Sequence, residues 1–151
     1  MIQGRFRSRT DHTLDTKGRL NFPIRFREVL RQSGSEILMV APWKTHLRAY
    51  PIAEWESLET KLLTQGGQQQ GLGRFFRYVV GGVAECAVDK QGRIRLPPEL
   101  RAEANLSKEV VLHGMTTWVE IWDKQAWEAE NQAARDSFDD HEASLASLGI
   151  F

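Results

Sequence analysis

An internal disulfide is excluded at once, because the chain holds a single cysteine, Cys86. That residue lies in the apolar stretch Ala84 to Val88 and reads as a small buried hydrophobe. No run of 18 apolar residues and no signal peptide is present, so a soluble, cytoplasmic protein without a membrane partner is expected. The four histidines, His12, His46, His113 and His141, share no metal-ligand spacing, and neither a metal nor a cofactor is expected. No Ser/His/Asp or Cys/His grouping stands out, which leaves little for an enzyme or a small-molecule substrate. Charge of one sign is also missing: 20 Lys and Arg balance 20 Asp and Glu, which taken alone argues against a nucleic-acid partner.

The distribution of that charge says otherwise. Residues 1–31 carry eight cations against three anions, and residues 120–151 carry two against eight. A basic head suggests an anionic partner at one end, and an acidic tail suggests solvation or self-association at the other.

The dominant positive feature is a duplication. Asp15-Thr16-Lys17-Gly18-Arg19-Leu20-Asn21-Phe22-Pro23 returns as Asp89-Lys90-Gln91-Gly92-Arg93-Ile94-Arg95-Leu96-Pro97, at a constant offset of 74. Each copy continues in the same order. A short helix follows the proline (Ile24 to Gln32, then Pro98 to Ala104), with the proline at its first turn, where a missing N–H costs nothing. Two strands come next, Ile37 to Ala41 with His46 to Tyr50, and Val110 to His113 with Thr117 to Trp122. A helix start closes each copy, at Pro51 to Trp55 and at Asp123 to Trp127. There the offset has become 72, so the second copy has lost two residues, which we place in its loops.

The organisation expected is a first repeat over residues 9–55, a linker and connecting helix over 56–82, a second repeat over 83–127 and an acidic tail over 128–151. The linker is the low-complexity Gly66 to Gly71. Leu72, Phe75, Phe76, Val79 and Val80 follow at the spacing of a buried helix face. A last helix that frays toward the end is expected after Trp127. At roughly 45 residues each, the repeats are too small to stand alone, so they are expected to pack about a pseudo-two-fold axis.

The chemistry sits in the motif. Gly18 and Gly92 allow the positive φ of a tight turn. Asp15 and Asp89 can accept hydrogen bonds from the turn amides and can hold an arginine fork four residues on. Arg19 and Arg93 then leave the turn on the polar face of a strand whose other face carries Leu20/Ile94 and Phe22/Leu96. A preoriented guanidinium loses less entropy on meeting a phosphate or a guanine edge. Lys17 and Lys90 add charge at the loop tips, and Arg95 stands two residues beyond Arg93 where the first copy has Asn21. Arg5, Arg7 and Arg9 would share one side of an extended segment and are candidates for additional DNA contacts.

The D-x-x-G-R-[LI]-x-[FL]-P pattern resembles the AbrB/SpoVT type of swapped-hairpin DNA-binding domain. Two copies in a chain of this length resemble the MraZ family of bacterial transcriptional regulators. The likeness runs from about Leu14 to Trp127 and includes Tyr50 to Trp55, the Arg74 to Val80 helix leading to Gly82, and Glu85-Cys86. It implies an α+β fold of two pseudo-symmetric swapped-hairpin, AbrB-like β-barrel halves with flanking helices. It further implies a homo-oligomeric ring that represses the division and cell wall gene cluster from short repeated promoter sites on double-stranded DNA, associated with the nucleoid. The family's Asp-x-x-x-Arg contact transfers to Asp15, Arg19, Asp89 and Arg93, whereas Arg5 to Arg9 lie outside the pattern.

Two rival readings remain. Two aspartates related by a pseudo-two-fold resemble a proton-sharing protease dyad, but an arginine beside each would keep both ionised. An antitoxin-like protein would bind DNA with its hairpins and a toxin partner with its acidic tail. Against this, the tail shows no obvious set of apolar anchors.

Overall fold

The computed structural model describes residues 4–66 and 71–151; most of the linker predicted at Gly66 to Gly71 lies outside them. The fold is α+β. Its strands are β1 (Arg9–Thr13), β2 (Arg19–Asn21), β3 (Ile37–Pro42), β4 (Leu47–Pro51), β5 (Ala84–Ala87), β6 (Arg93–Arg95), β7 (Glu109–Gly114) and β8 (Val119–Asp123). Its α-helices are α1 (Ile24–Gln32), α2 (Ile52–Lys61), α3 (Gly73–Gly82), α4 (Pro98–Glu103), α5 (Lys124–Asp136) and α6 (Phe138–Ser147), and a π-helical turn, Leu62–Gly66, continues α2.

Six strands form one antiparallel sheet in the order β1-β7-β8-β4-β3-β5, and β2 pairs with β6 in a separate two-stranded ribbon. The order reads the same from either edge once each strand is exchanged for its counterpart in the other repeat. Thr13 pairs with Glu109 as Ala87 pairs with Ile37, and Thr10 with Leu112 as Ala84 with Val40. The pseudo-dyad passes between Leu20 and Ile94 in the ribbon, and between Arg48 and Glu120 in the large sheet. Every edge strand is thus supplied by the other repeat, which is how two units too small to be stable alone share one core.

Alternation along the strands sorts the layers. Leu38, Val40, Leu47, Ala49, Val110, Leu112, Val119 and Ile121 point to one side of the sheet, where they meet Leu20, Phe22, Phe26, Leu30, Ile94, Leu96 and Leu100 of the ribbon, α1 and α4. Cys86 is buried in this cluster, and burial pushes its thiol up to about 11. On the opposite side Trp55 of α2 and Val79 of α3 pack with Ala41 and Tyr50 of the sheet, while α5 packs on β7 and β8.

Four expectations need correction. The two residues missing from the second copy fall where α1 has become the shorter α4 and its following loop, since β3/β7 are already offset by 72. The helix face from Leu72 to Val80 is not fully buried: only Val79 is, and Phe75 and Tyr78 keep more than a third of their surface, because α3 rests on β3 by one edge. The tail forms two helices instead of one, divided at Ser137, whose hydroxyl donates to the Ala133 carbonyl and ends α5. Finally, Arg5, Arg7 and Arg9 do not lie along one continuous strand. Ser8 turns to φ 73, so that Phe6 bridges to Thr116 and β1 begins only at Arg9.

Candidate nucleic-acid interface

Each motif turn is built around one carboxylate. Asp15 Oδ1 accepts the amides of Lys17 (2.9 Å) and Arg19 (2.8 Å), and its Oδ2 accepts Arg19 Nε at 2.8 Å. The backbone closes the same loop, with Gly18 N donating to Asp15 O and Asp15 N to Arg19 O. Gly18 and Gly92 sit at φ 81 and 79, where an L-residue is strained. In the second copy Asp89 Oδ1 likewise accepts Gln91 N and Arg93 N, both at 2.9 Å. There the fork is looser, with Arg93 Nε 3.5 Å from Asp89 Oδ2, because the Gln91 side-chain carbonyl takes an Arg93 amino group. The Arg19 amide, with its guanidinium and Lys17 N, holds the Asp15 carboxyl down at about 2, and the Arg93 amide lowers Asp89. Both stay ionised, the reverse of a dyad in which one carboxyl keeps its proton.

The two turns brace one another. Phe22 N donates to Gly92 O and Leu96 N to Gly18 O, both at 2.8 Å, so each strand exit clasps the other repeat's glycine. Arg95 Nε donates to Lys17 O at 3.1 Å. Across the ribbon Arg19 stands opposite Arg95 and Asn21 opposite Arg93, while Leu20 and Ile94 between them are buried. Arg19, Asn21, Arg93 and Arg95 therefore share one solvent-facing side of a two-stranded antiparallel ribbon, with exposed Lys17 and Lys90 at its two ends. The strands span three residues, roughly 10 Å, and a major groove about 12 Å wide admits such a ribbon. Seven of the sequence candidates thus converge on one surface, with five cations against the two carboxylates that orient them.

Two arginines that the motif reading passed over belong to the same place. Arg27 Nε donates to Phe22 O at 2.9 Å, and Arg101 Nε to Leu96 O at 3.1 Å. Their guanidiniums pack against Gly92 and Gly18, so closely that a Cβ on either glycine would lie 2.6 to 2.8 Å from their atoms. The signal was available, since 101 and 27 differ by the repeat offset of 74.

Arg5, Arg7 and Arg9 lie elsewhere. Arg9 pairs with His113 at one end of β1, whereas Thr13 pairs with Glu109 at the end that leads into Asp15. The Arg9 guanidinium sits 4.8 Å over the Trp127 ring and ties the edge strand to α5. Trp118 and Trp122 serve internal packing: Trp118 stacks on Tyr50, and Trp122 stacks on His46 at 4.4 Å. Burial by itself would raise Glu120, but contacts from His46 and the Trp122 indole, with Arg48 nearby, hold it at about 2. Among the described residues no His, Cys, Asp and Glu group could hold a metal ion, and no helix is long and apolar enough to cross a membrane.

Comparison with known proteins places the chain in a family. A family model described as "MraZ protein, putative antitoxin-like" matches residues 6–70 and 79–148. The chain is 40% identical over 147 residues to a "Transcriptional regulator MraZ" of Desulforapulum autotrophicum, covering 96% of this chain and 99% of that protein. A protein of the same name from Desulfitobacterium hafniense is 41% identical over 139 residues, covering 92% and 95% of the two chains. One from Caldanaerobacter subterraneus is 35% identical over 150 residues, covering 99% and 100%.

Proposed function

This chain belongs to the MraZ family, and from that premise we propose that it is a sequence-specific DNA-binding transcriptional regulator. The observation that carries the reading is the β2–β6 ribbon, whose outer side gathers Arg19, Arg93, Arg95 and Asn21 on a backbone locked by Asp15 and Asp89. Arginine forks suit guanine edges and an asparagine suits adenine, while Lys17 and Lys90 suit the phosphates beside the groove.

The finer parts of the proposal follow the family resemblance. The cross-repeat strand exchange supports a swapped-hairpin arrangement of the AbrB/SpoVT type within one chain. Homo-oligomeric rings then repress the division and cell wall gene cluster from short repeated promoter sites, in the cytoplasm and at the nucleoid. Footprinting of the purified protein on its own upstream DNA tests this: several short, evenly spaced protected repeats are expected. Lack of protection at low salt would overturn the reading.

A second reading draws on the tail. The sequence shows no obvious set of apolar anchors there, but the structure leaves Phe138 and Leu145 of α6, and Leu148 beyond it, exposed among acidic residues, which is what a partner-binding segment needs. An antitoxin-like protein would hold a small toxin there, and a stoichiometric small protein in a pull-down that is lost on truncation at residue 137 would favour it.

A further inference from the structure

We propose that the second half of the molecule carries a pocket for a small organic cation, a guanidinium or an amine, which the first half lacks. A cavity of about 410 Å³ opens between α5 and the side of β7 and β8 that faces away from the ribbon. That size suits a small ligand. His46, His113, Glu120 and Trp122 line its sheet side, and Trp127 and Glu130 its helix side. Among the described residues no lysine or arginine lines it. The two cations that strand register sets beside it are already engaged with aromatic rings. Arg48, opposite Glu120, lies over Trp43 and Trp118, and Arg9, opposite His113, lies over Trp127.

The pseudo-dyad supplies an internal comparison. At the offset of 72, His113, Glu120 and Glu130 stand where the first half has Ala41, Arg48 and Leu58, and His46 stands where the second hairpin has Trp118. In the first half the corresponding space is filled: Trp118 stacks on Tyr50 and packs with Leu58 in the Trp55 cluster. That half also holds a cation of its own, because the Arg48 guanidinium lies 4.0 Å from the Trp43 ring and 4.8 Å from that of Trp118. The second half keeps aromatic walls in Trp122 and Trp127 but sets carboxylates where its twin has an arginine and a leucine. Rings and carboxylates together attract a cation from outside. Unpartnered acceptors point the same way. His46 is only 8% exposed and stacks on Trp122, and its Nδ1 lies 3.0 Å from Thr45 Oγ1. In the tautomer that donates from Nδ1, Nε2 is an acceptor, yet it makes no hydrogen bond and lies 3.3 Å from Glu120 Oε2. His113 Nδ1 is enclosed without a partner as well. Glu120, held at about 2, is ionised, so an acceptor nitrogen beside its oxygen calls for a donor that carries positive charge.

Two probes of one shape test the pocket, n-butylguanidinium and its neutral counterpart n-butylurea, each titrated into the full-length protein while the tryptophan indole N–H signals are followed by NMR. The cation is expected to shift the signals of Trp122 and Trp127 saturably and to leave those of Trp43 and Trp55, in the filled half, in place. Butylurea should bind about tenfold or more weakly by comparison, and Glu120→Gln should weaken the cation by about 10- to 100-fold, the range for a hydrogen bond to a charged group. Glu130→Leu places the twin's residue at an exposed helix position and should weaken it by about two- to fivefold, as for a partly solvated ion pair. No saturable shift, equal binding of the two probes, or shifts spread over all five indoles would overturn the proposal. So would unaltered affinity in Glu120→Gln and Glu130→Leu proteins that melt as folded chains. Indole signals that move when the protein alone is diluted, and that do not answer to the cation, would overturn it too, since an arginine of a second copy would then fill the pocket.

Discussion

Gly18→Ala offers the sharpest test of how the motif is held. At φ 81 the new side chain meets left-handed backbone, which costs an L-residue about 1–2 kcal/mol. Its Cβ would also lie 2.6 Å from the Leu96 carbonyl oxygen and 2.8 Å from Arg101 Nε. The arginine can swing away. The carbonyl oxygen cannot, because Leu96 N is itself bonded to Gly18 O at 2.8 Å, so relief requires the turn and β6 to part. Overpacking of that kind adds about 1–3 kcal/mol. The total of about 2–5 kcal/mol corresponds to a fall in Tm of about 5–20 °C for a chain of this size. Gly34→Ala is the matched control: its φ is 98, but nothing stands within 4 Å, so only the backbone cost of about 1–2 kcal/mol applies. Thermal melts followed by circular dichroism give the comparison, and DNA titration below Tm gives the functional half. Gly18→Ala should weaken binding as well as stability, and Gly34→Ala should leave binding intact. Equal losses of Tm in the two variants would refute the claim that contact between the repeats, and not conformation alone, is what the glycine serves.

Arg19→Ala and Arg93→Ala should weaken operator binding by about 1–3 kcal/mol if each reads a guanine, with Tm nearly unchanged, since exposed ion pairs contribute about 0–1 kcal/mol; operator and random-DNA titrations with parallel melts check both halves. Asp15 and Glu120 are held at about 2 and Asp89 is also lowered, so their stabilisation is complete above the unfolded carboxylate range and is lost as pH falls toward 2; melting between pH 6 and 2.5 should show the decline, and Glu120→Gln should flatten it. Several linked protomers would raise avidity by about 10²–10⁴, so light scattering should show a homo-oligomer, and DNA bearing four repeats should bind far more tightly than DNA bearing one. Truncating Arg9 to Ala should cost only about 0.5–1 kcal/mol of stability and leave the salt slope unchanged, because its guanidinium is engaged with Trp127.

The order of elements was legible because the repeat supplied each one twice. Where one copy is ambiguous, as in the short helix after Pro97, the other at Ile24 to Gln32 settles it. The turn chemistry of Asp15 and Gly18 was legible for a local reason: the partners lie within four residues, so spacing alone determines who can bond to whom. What lay beyond reach was non-local. Nothing in Phe22 or Leu96 announces that its amide clasps a glycine 70 or more residues away, and Arg27 looks like any solvated helix cation until Gly92 arrives beside it. The Phe75 face failed for a related reason: periodicity shows that a helix has an apolar side, but not how much of a sheet remains for it to cover. Ser8 defeated the strand pattern because a single left-handed residue leaves no mark in composition.

A residue that lies on a two-fold axis between separate, identical chains meets only its own twin. On the large sheet that would set Arg48 against Arg48, or Glu120 against Glu120, like charges directly opposite, which disfavours pairing. Joining the halves in one polypeptide lifts that restriction, and here the axis holds a cation facing an anion. Around it the twins have drifted further: His46 stacked on Trp122 mirrors Trp118 stacked on Tyr50. The halves have become lock and key to each other. Expressed as two separate polypeptides, they should seek the opposite half and refuse their own kind.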